Sequence, residues 1–410
     1  MLKACGGRRL RAVGAVVGAL AAVGVGFAPN AAAYDAQSKQ WYLEPMQAEQ
    51  MWKVSTGEGI KVAVIDSGVN ASTSSLKGQV LTGEVPKSVS FHATQDYTGH
   101  GTTISELIAG TGAGGGLKGL APGAKIVPYR IKLTGLTDKT ELAKTPEPAE
   151  AIRAAADSDA KILNMSFSSD TIDPDQEAAL KYAASKGKLL MVGVGNEGES
   201  TGHIGYPAAY PYAIGVTAVD ATGTVAKFSS NGQYVDLAAP GQNIPRWCDA
   251  KFQSYCDGGQ GTSQATAIAS GSAALIWSAH PDWTANQVLS SLIDTASRTW
   301  KKNDPSRYLG YGTVRPRKVL ENPNYNAGPA QQDPLAKENG AAAAKESAPS
   351  ASASASSQPS QKASEVPAEA AGSEAKSSSD SNTLWIVLGA VAAVIVIGGG
   401  GFAVMRTRRN

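Results

Sequence analysis

Lys61-Val62-Ala63-Val64-Ile65-Asp66-Ser67-Gly68-Val69 runs apolar without a break, ends on a carboxylate and turns at once. An apolar run with no polar alternation describes a strand buried on both faces, and such strands belong to parallel sheets. The pattern recurs at 125–131, 161–167, 188–195, 213–220 and 235–239. Helical stretches lie between or after these runs. One, 148–158, opens on Pro148; a second, 174–186, follows Asp173 as a cap. A third, 262–279, is rich in alanine, and a fourth, 284–296, begins on Thr284. Strands alternating with helices predict a doubly wound α/β domain with a mostly parallel sheet and helices on both faces. Chemistry in such sheets gathers at the carboxyl ends of the strands, where Asp66 falls.

The ends of the chain are of another kind. Lys3, Arg8, Arg9 and Arg11 precede an apolar stretch and Ala31-Ala32-Ala33, which predicts a secretory signal peptide over 1–33. Residues 34–60 form a lead-in extension in which Trp41, Met51 and Trp52 look like packing residues, and 61–322 form the globular domain. From 323 to 383 the chain is Ala, Ser, Pro, Gln, Glu and Lys with almost no large apolar side chain. Such a composition cannot bury enough surface to offset its ordering entropy and predicts a disordered linker. The uncharged run 384–405 is long enough to cross a bilayer as a transmembrane helix. Arg406, Arg408 and Arg409 assign the tail 406–410 to the cytoplasm and the domain to the outside of a cell membrane. Cys248 and Cys256 remain in the exported part, as a disulfide or as two free thiols, with export favouring the disulfide. A net charge of +2 gives no reason to expect nucleic acid as a partner.

Four segments carry chemistry, and each has a plain structural reading when taken alone. Asp66 ends a strand, where Asp is also a common turn former. In Asp96-Tyr97-Thr98-Gly99-His100-Gly101-Thr102, glycines flank His100 on both sides and permit close approach to its backbone; a surface histidine in a glycine loop is the alternative. In Gly258-Gly259-Gln260-Gly261-Thr262-Ser263-Gln264-Ala265, Ser263 starts a helix whose free N–H groups suit a developing oxyanion. A simple helix cap would look the same. In Val192-Gly193-Val194-Gly195-Asn196-Glu197-Gly198, Asn196 tips a buried strand, as a turn residue or as a donor into a site.

Together, and in the order Asp, His, Ser, these segments resemble the subtilisin-like serine peptidases. The resemblance covers about residues 40–320 and includes Gly119-Leu120-Ala121-Pro122-Gly123 and Asn164-Met165-Ser166-Phe167-Ser168. It implies a subtilisin-like fold in which Ser263 is the nucleophile, His100 the general base and Asp66 its orienting carboxylate. It further implies an oxyanion hole at Asn196 and substrate binding by Ser166, Phe167, Ser168 and Gly193. The layout of signal, domain, low-complexity linker, span and basic tail looks most like the mycosins, peptidases associated with type VII secretion. Protein or peptide substrates and the secretion machinery are the implied partners. The other readings are a structural part of a secretion complex and a general surface protease. The implied chemistry requires no cofactor. Asp170, Asp173 and Asp175 offer a structural calcium site that their spacing does not favour over a helix start, and no zinc motif occurs. The chain departs from the family pattern at Thr266-Ala267, at Glu106 and at Ser168-Ser169. Ser168 would narrow the specificity pocket. Glu106, on a buried helix, would need a partner or a raised pKa.

Overall fold

In the computed structural model, which describes residues 34–337, six parallel strands form one sheet. They are β1 (Lys61–Asp66), β2 (Lys125–Arg130), β3 (Ile162–Met165), β4 (Leu189–Gly193), β5 (Ile214–Val219) and β6 (Leu237–Pro240). Their order is β2-β1-β3-β4-β5-β6. β1 pairs with β2 from Lys61↔Lys125 to Asp66↔Arg130, and with β3 from Val62↔Ile162 to Ile65↔Met165. The winding therefore reverses at β1, and a crevice opens at the carboxyl ends of β1 and β3.

The described helices are α1 (Ala48–Trp52), α2 (His100–Ala109), α3 (Lys139–Lys144), α4 (Pro148–Ala156), α5 (Pro174–Ser185), α6 (Thr262–Ala279), α7 (Ala285–Thr295) and α8 (Arg317–Leu320). Successive strand residues point to opposite faces. Val62, Val64 and Met191 pack with Ile104 and Leu107 of α2 and Ile268 and Leu275 of α6. Ala63, Ile65, Leu163 and Val192 pack with Ile152 of α4 and Leu180 of α5. Helices cover both faces, so both sets are apolar and the strands show no alternation. Asp173 accepts from the N–H groups of Asp175 and Gln176 and so caps α5, the helix-start role its position suggests.

Two features differ from the sequence reading, the hairpin and the reach of the domain past residue 322, while Trp41, Met51 and Trp52 of the lead-in pack as expected. An antiparallel hairpin of β7 (Ile244–Trp247) and β8 (Tyr255–Gly259) occupies a stretch with no strand pattern. The Cys248–Cys256 disulfide closes it, with a Cα separation of 5.0 Å. The loop is short, so the cross-link stabilises by about 2–3 kcal/mol in the chain-entropy account. The lead-in extension belongs to the core: Tyr42, Ala48 and Met51 are buried, and the Trp52 indole N–H donates to the Leu120 carbonyl at 2.8 Å. The domain also runs past residue 322. Leu335 is buried, and Thr284 Oγ1 donates to the Ala330 carbonyl at 2.8 Å, so residues 323–337 pack where a linker was expected. The expected signal peptide 1–33, the remaining linker 338–383, the span 384–405 and the tail 406–410 lie outside the described residues. Among the described residues no helix is long and apolar enough to cross a membrane.

Candidate active site

Asp66, the last residue of β1, is wholly buried, and its Oδ1 lies 2.8 Å from His100 Nδ1. Glycine permits this approach. A Cβ on Gly101 would collide with the Gly68 carbonyl and lie 3.1 Å from the Asp66 Cβ, so a side chain there would push α2 away from β1. Gly99 enters the helix at φ +85°, a left-handed conformation that favours glycine. The imidazole keeps 36% of its side-chain surface exposed and is accessible from the crevice. Burial pushes its pKa down, but the Asp66 charge and hydrogen bond, with Asp96 adding, raise it above the ordinary histidine value; Arg246 opposes them.

Ser263 lies in the first turn of α6. Its Oγ donates to the Ser166 carbonyl at 3.2 Å, and Ser166 Oγ donates back to the Ser263 carbonyl at 3.3 Å. No bond between Ser263 and His100 occurs among the described hydrogen bonds. Asn196 Oδ1 accepts from the Thr262 N–H, at the helix start, at 2.9 Å, which fixes the amide orientation. Asn196 Nδ2 and the Ser263 backbone N both lie 3.7 Å from the point a Cβ on Gly261 would occupy. Both nitrogens are donors near the positive end of a helix, and Gln264 Oε1 lies closer to the same point, at 2.8 Å.

Ser166 and Phe167 follow directly from β3, with Ser168 exposed beyond them. Gly193, at the end of β4, is buried against Thr262. Ser169, which follows Ser168, exchanges backbone hydrogen bonds with Tyr206 at 2.8 and 2.9 Å. This draws Ser168 Oγ against Gly205, and it lies 3.5 Å from the point a Cβ on Gly195 would occupy. Of the residues singled out, Asp66 bonds to His100 and Ser166 to Ser263, while Asn196 bonds to Thr262, the neighbour of Ser263; Phe167 and Ser168 follow Ser166 in the chain, and Gly193 lies against Thr262. Among the described residues no group of three or more His, Cys, Asp or Glu side chains could hold a metal ion.

Glu106 has both features that its burial demanded. Tyr255 Oη and Thr73 Oγ1 each donate to its carboxyl at 2.7 Å, and no cation pairs with it among the described residues. Burial pushes its pKa up to about 7 against the pull of those two donors. The folded pKa is therefore above the unfolded one, and the protonated form favours folding. The stabilisation is full below about pH 4.5, falls as pH rises toward about 7 and is constant beyond. The drop across that window is about 3 kcal/mol. Glu106→Gln cannot ionise and is expected to remove that slope, as urea unfolding at several pH values would read. An unchanged slope would show that another group titrates.

Two parts of the site gave little signal in sequence. Asp96 stands four residues before His100, yet nothing local says that it is buried or that Thr102 and Ser67 bind it. The hairpin reaches the same helix from far along the chain: the Trp247 N–H donates to Thr103 Oγ1 at 3.1 Å.

Comparison with known proteins bears on the same residues. The Subtilase family model matches residues 57–312. The chain is 36% identical over 266 residues to Subtilisin E of Bacillus subtilis (strain 168), a match spanning 63% of this chain and 65% of that protein. It is 35% identical to Subtilisin of Bacillus pumilus, over 63% of this chain and 90% of that one. Among solved structures, the MycP3 protease from the type VII (ESX-3) secretion system superposes with a TM-score of 0.57 at 29% identity, covering 71% of this chain and 90% of that one. MycP1, described as a serine protease and an essential component of the type VII (ESX-1) secretion system, gives 0.57 at 26% identity, with coverage of 71% and 90%. The sheet that puts Asp66 beside His100 and the matched stretch are one and the same part of the molecule, and the chain belongs to the subtilase family.

Proposed function

We propose that this protein is a serine endopeptidase that cuts peptide bonds through an acyl-enzyme. The observation that carries the reading is the Asp66–His100 contact at 2.8 Å, with Ser263 in the first turn of α6 beside Thr262, whose N–H donates to Asn196. Ser263 Oγ forms a bond to the scissile carbonyl carbon as its proton passes to His100 Nε2. That proton goes on to the leaving amine as the C–N bond breaks. Water then repeats the sequence on the acyl-enzyme. Asp66 holds the imidazole by Nδ1 and stabilises the imidazolium. Asn196 and the Ser263 N–H receive the oxyanion. Substrate backbone lies along Ser166–Ser168, opposite Gly193. None of these steps calls for a cofactor. A fluorophosphonate probe is expected to label the wild type and not Ser263→Ala; a folded wild type that resists the probe would overturn the proposal.

Ser168 narrows the pocket for the side chain before the scissile bond, because its hydroxyl occupies space between Gly195 and Gly205. Ser168→Gly is expected to raise kcat/KM for substrates with Phe at that position, relative to Ala, by about tenfold. Paired peptide p-nitroanilides measure the ratio, and an unchanged ratio would place the restriction elsewhere.

The proposed setting is the outer face of a membrane, with the 384–405 run as anchor and secreted proteins as substrates. Likeness to MycP3 and MycP1 supports a role beside a type VII secretion system. The description of MycP1 as an essential component favours a second reading, a structural part of that machinery with proteolysis secondary. If deletion of the gene stops secretion and Ser263→Ala restores it, the structural reading holds; if Ser263→Ala fails to restore it, proteolysis is the role.

A further inference from the structure

Two buried carboxylates flank the start of α2, and the donors around them are shared unequally. Asp96 Oδ1 accepts from the N–H groups of Thr98 and Gly99 at 3.0 and 2.9 Å and from Ser67 Oγ at 2.8 Å. Its Oδ2 accepts from the N–H and hydroxyl of Thr102 at 2.9 and 2.7 Å. Asp66 has far less. Its Oδ1 receives the Ser67 N–H at 2.7 Å and the imidazole at 2.8 Å, and its buried Oδ2 has no hydrogen-bond partner among the described residues. Ser67 Oγ lies between the two, 2.8 Å from Asp96 and 3.1 Å from Asp66. A hydroxyl has one proton. Ser67 Oγ accepts from the Gly101 N–H at 3.1 Å, and Thr98 Oγ1 lies 2.8 Å from it and 3.3 Å from Asp96 Oδ1; the single Ser67 proton can serve one carboxylate, and the shorter contact is to Asp96.

We propose that Asp96 is a positioning residue for the Asp66–His100 pair: it takes the Ser67 proton, leaves the Asp66 charge to the imidazolium, and fixes the first turn of α2 that carries His100. The inference rests on the roles proposed above for Asp66 and His100. A carboxylate short of donors in a dry site gains most from a cation that forms beside it. Withholding the Ser67 proton keeps Asp66 in that condition. Asp96 also brings a second negative charge near the imidazole, and this acts in the same direction on its pKa as Asp66 does. The other charged groups facing this cluster are Arg246 from the hairpin, which acts oppositely on His100, and Arg130, whose guanidinium lies 5.0 Å from the Tyr97 ring centroid. Tyr97 is pushed up to about 12 by burial and stays neutral through the working range.

The test uses the full protein and two variants. Asp96→Asn keeps the shape but loses the charge. The acid limb of kcat/KM against pH, read on an Ala-Ala-Pro-Ala p-nitroanilide, is expected to move to lower pH by about half a unit or more, and kcat to fall about tenfold with KM within twofold. The imidazole pKa itself is read by NMR in the Ser263→Ala background, where four histidines give a resolvable spectrum. This readout requires no turnover, so it stands even if the enzyme is inactive on the chosen peptide. An imidazole pKa unmoved by Asp96→Asn would overturn the proposal and leave Asp96 a helix cap. If that variant fails to fold, Ser67→Ala decides. With the Ser67 proton serving Asp96, its loss leaves the imidazole pKa where it is; a rise would mean that Ser67 had been feeding Asp66, and the proposal would fall.

Discussion

Ser263→Ala is expected to lower kcat/KM for peptide hydrolysis by about five to six orders of magnitude, a loss typical of removing a nucleophile that acts as one unit with its base. The structure adds a reason to expect the same from His100→Ala. In the resting arrangement Ser263 Oγ donates to the Ser166 carbonyl at 3.2 Å and is not bonded to the imidazole. A hydroxyl whose proton is given to a carbonyl has no base to take that proton; it must turn its O–H from the Ser166 carbonyl to His100 before it can attack. Each residue is then useless for attack without the other. The double variant is expected to be no slower than either single one, with residual hydrolysis set by the oxyanion donors and substrate binding. Stopped and progress-curve assays on the three variants read this directly. Losses that add would mean that the serine and the histidine act independently, and the proposed mechanism would be wrong.

What the sequence made legible follows the range of the forces involved. β1 and β4 were readable because burial on both faces writes itself into consecutive residues. His100 was readable because the backbone approach that Gly101 permits leaves a glycine beside it. Ser263 was readable because a helix start follows a glycine run. The partners of Glu106 were not. Its need for help was plain from burial, but Tyr255 is 149 residues away on a hairpin with no strand pattern. Asp96 stands beside His100 in sequence, but its contacts lie with Ser67, 29 residues earlier, and no local pattern shows them. The domain boundary at 322 failed for a different reason. Low apolar content predicts disorder on average, yet Tyr325, Ala327 and Leu335 suffice to hold a short segment on α7 and the core. Composition averages over a window, whereas packing responds to single side chains.

Asn196→Leu is expected to lower kcat by about 10²–10³, or about 2.7–4 kcal/mol of transition-state stabilisation, with KM within about twofold. The loss should fall on kcat because the donor meets full negative charge only in the tetrahedral state. This structure complicates the simple reading. Asn196 Oδ1 also accepts from the Thr262 N–H at 2.9 Å, so leucine removes a bond at the start of α6 as well as the donor. Loss of that bond alone would cost about 1 kcal/mol of helix stability and tilt the turn that carries Ser263. Asn196→Asp separates the two effects. Aspartate keeps an acceptor for Thr262, lacks the donor, and sets a negative charge where negative charge must develop. If Asn196 acts by donation, the aspartate variant turns over at least as slowly as the leucine variant while melting closer to the wild type. If it acts by holding the helix start, aspartate restores most of the rate. The two variants thus give opposite orders of kcat under the two accounts, and a single pre-steady-state acylation measurement on each decides between them.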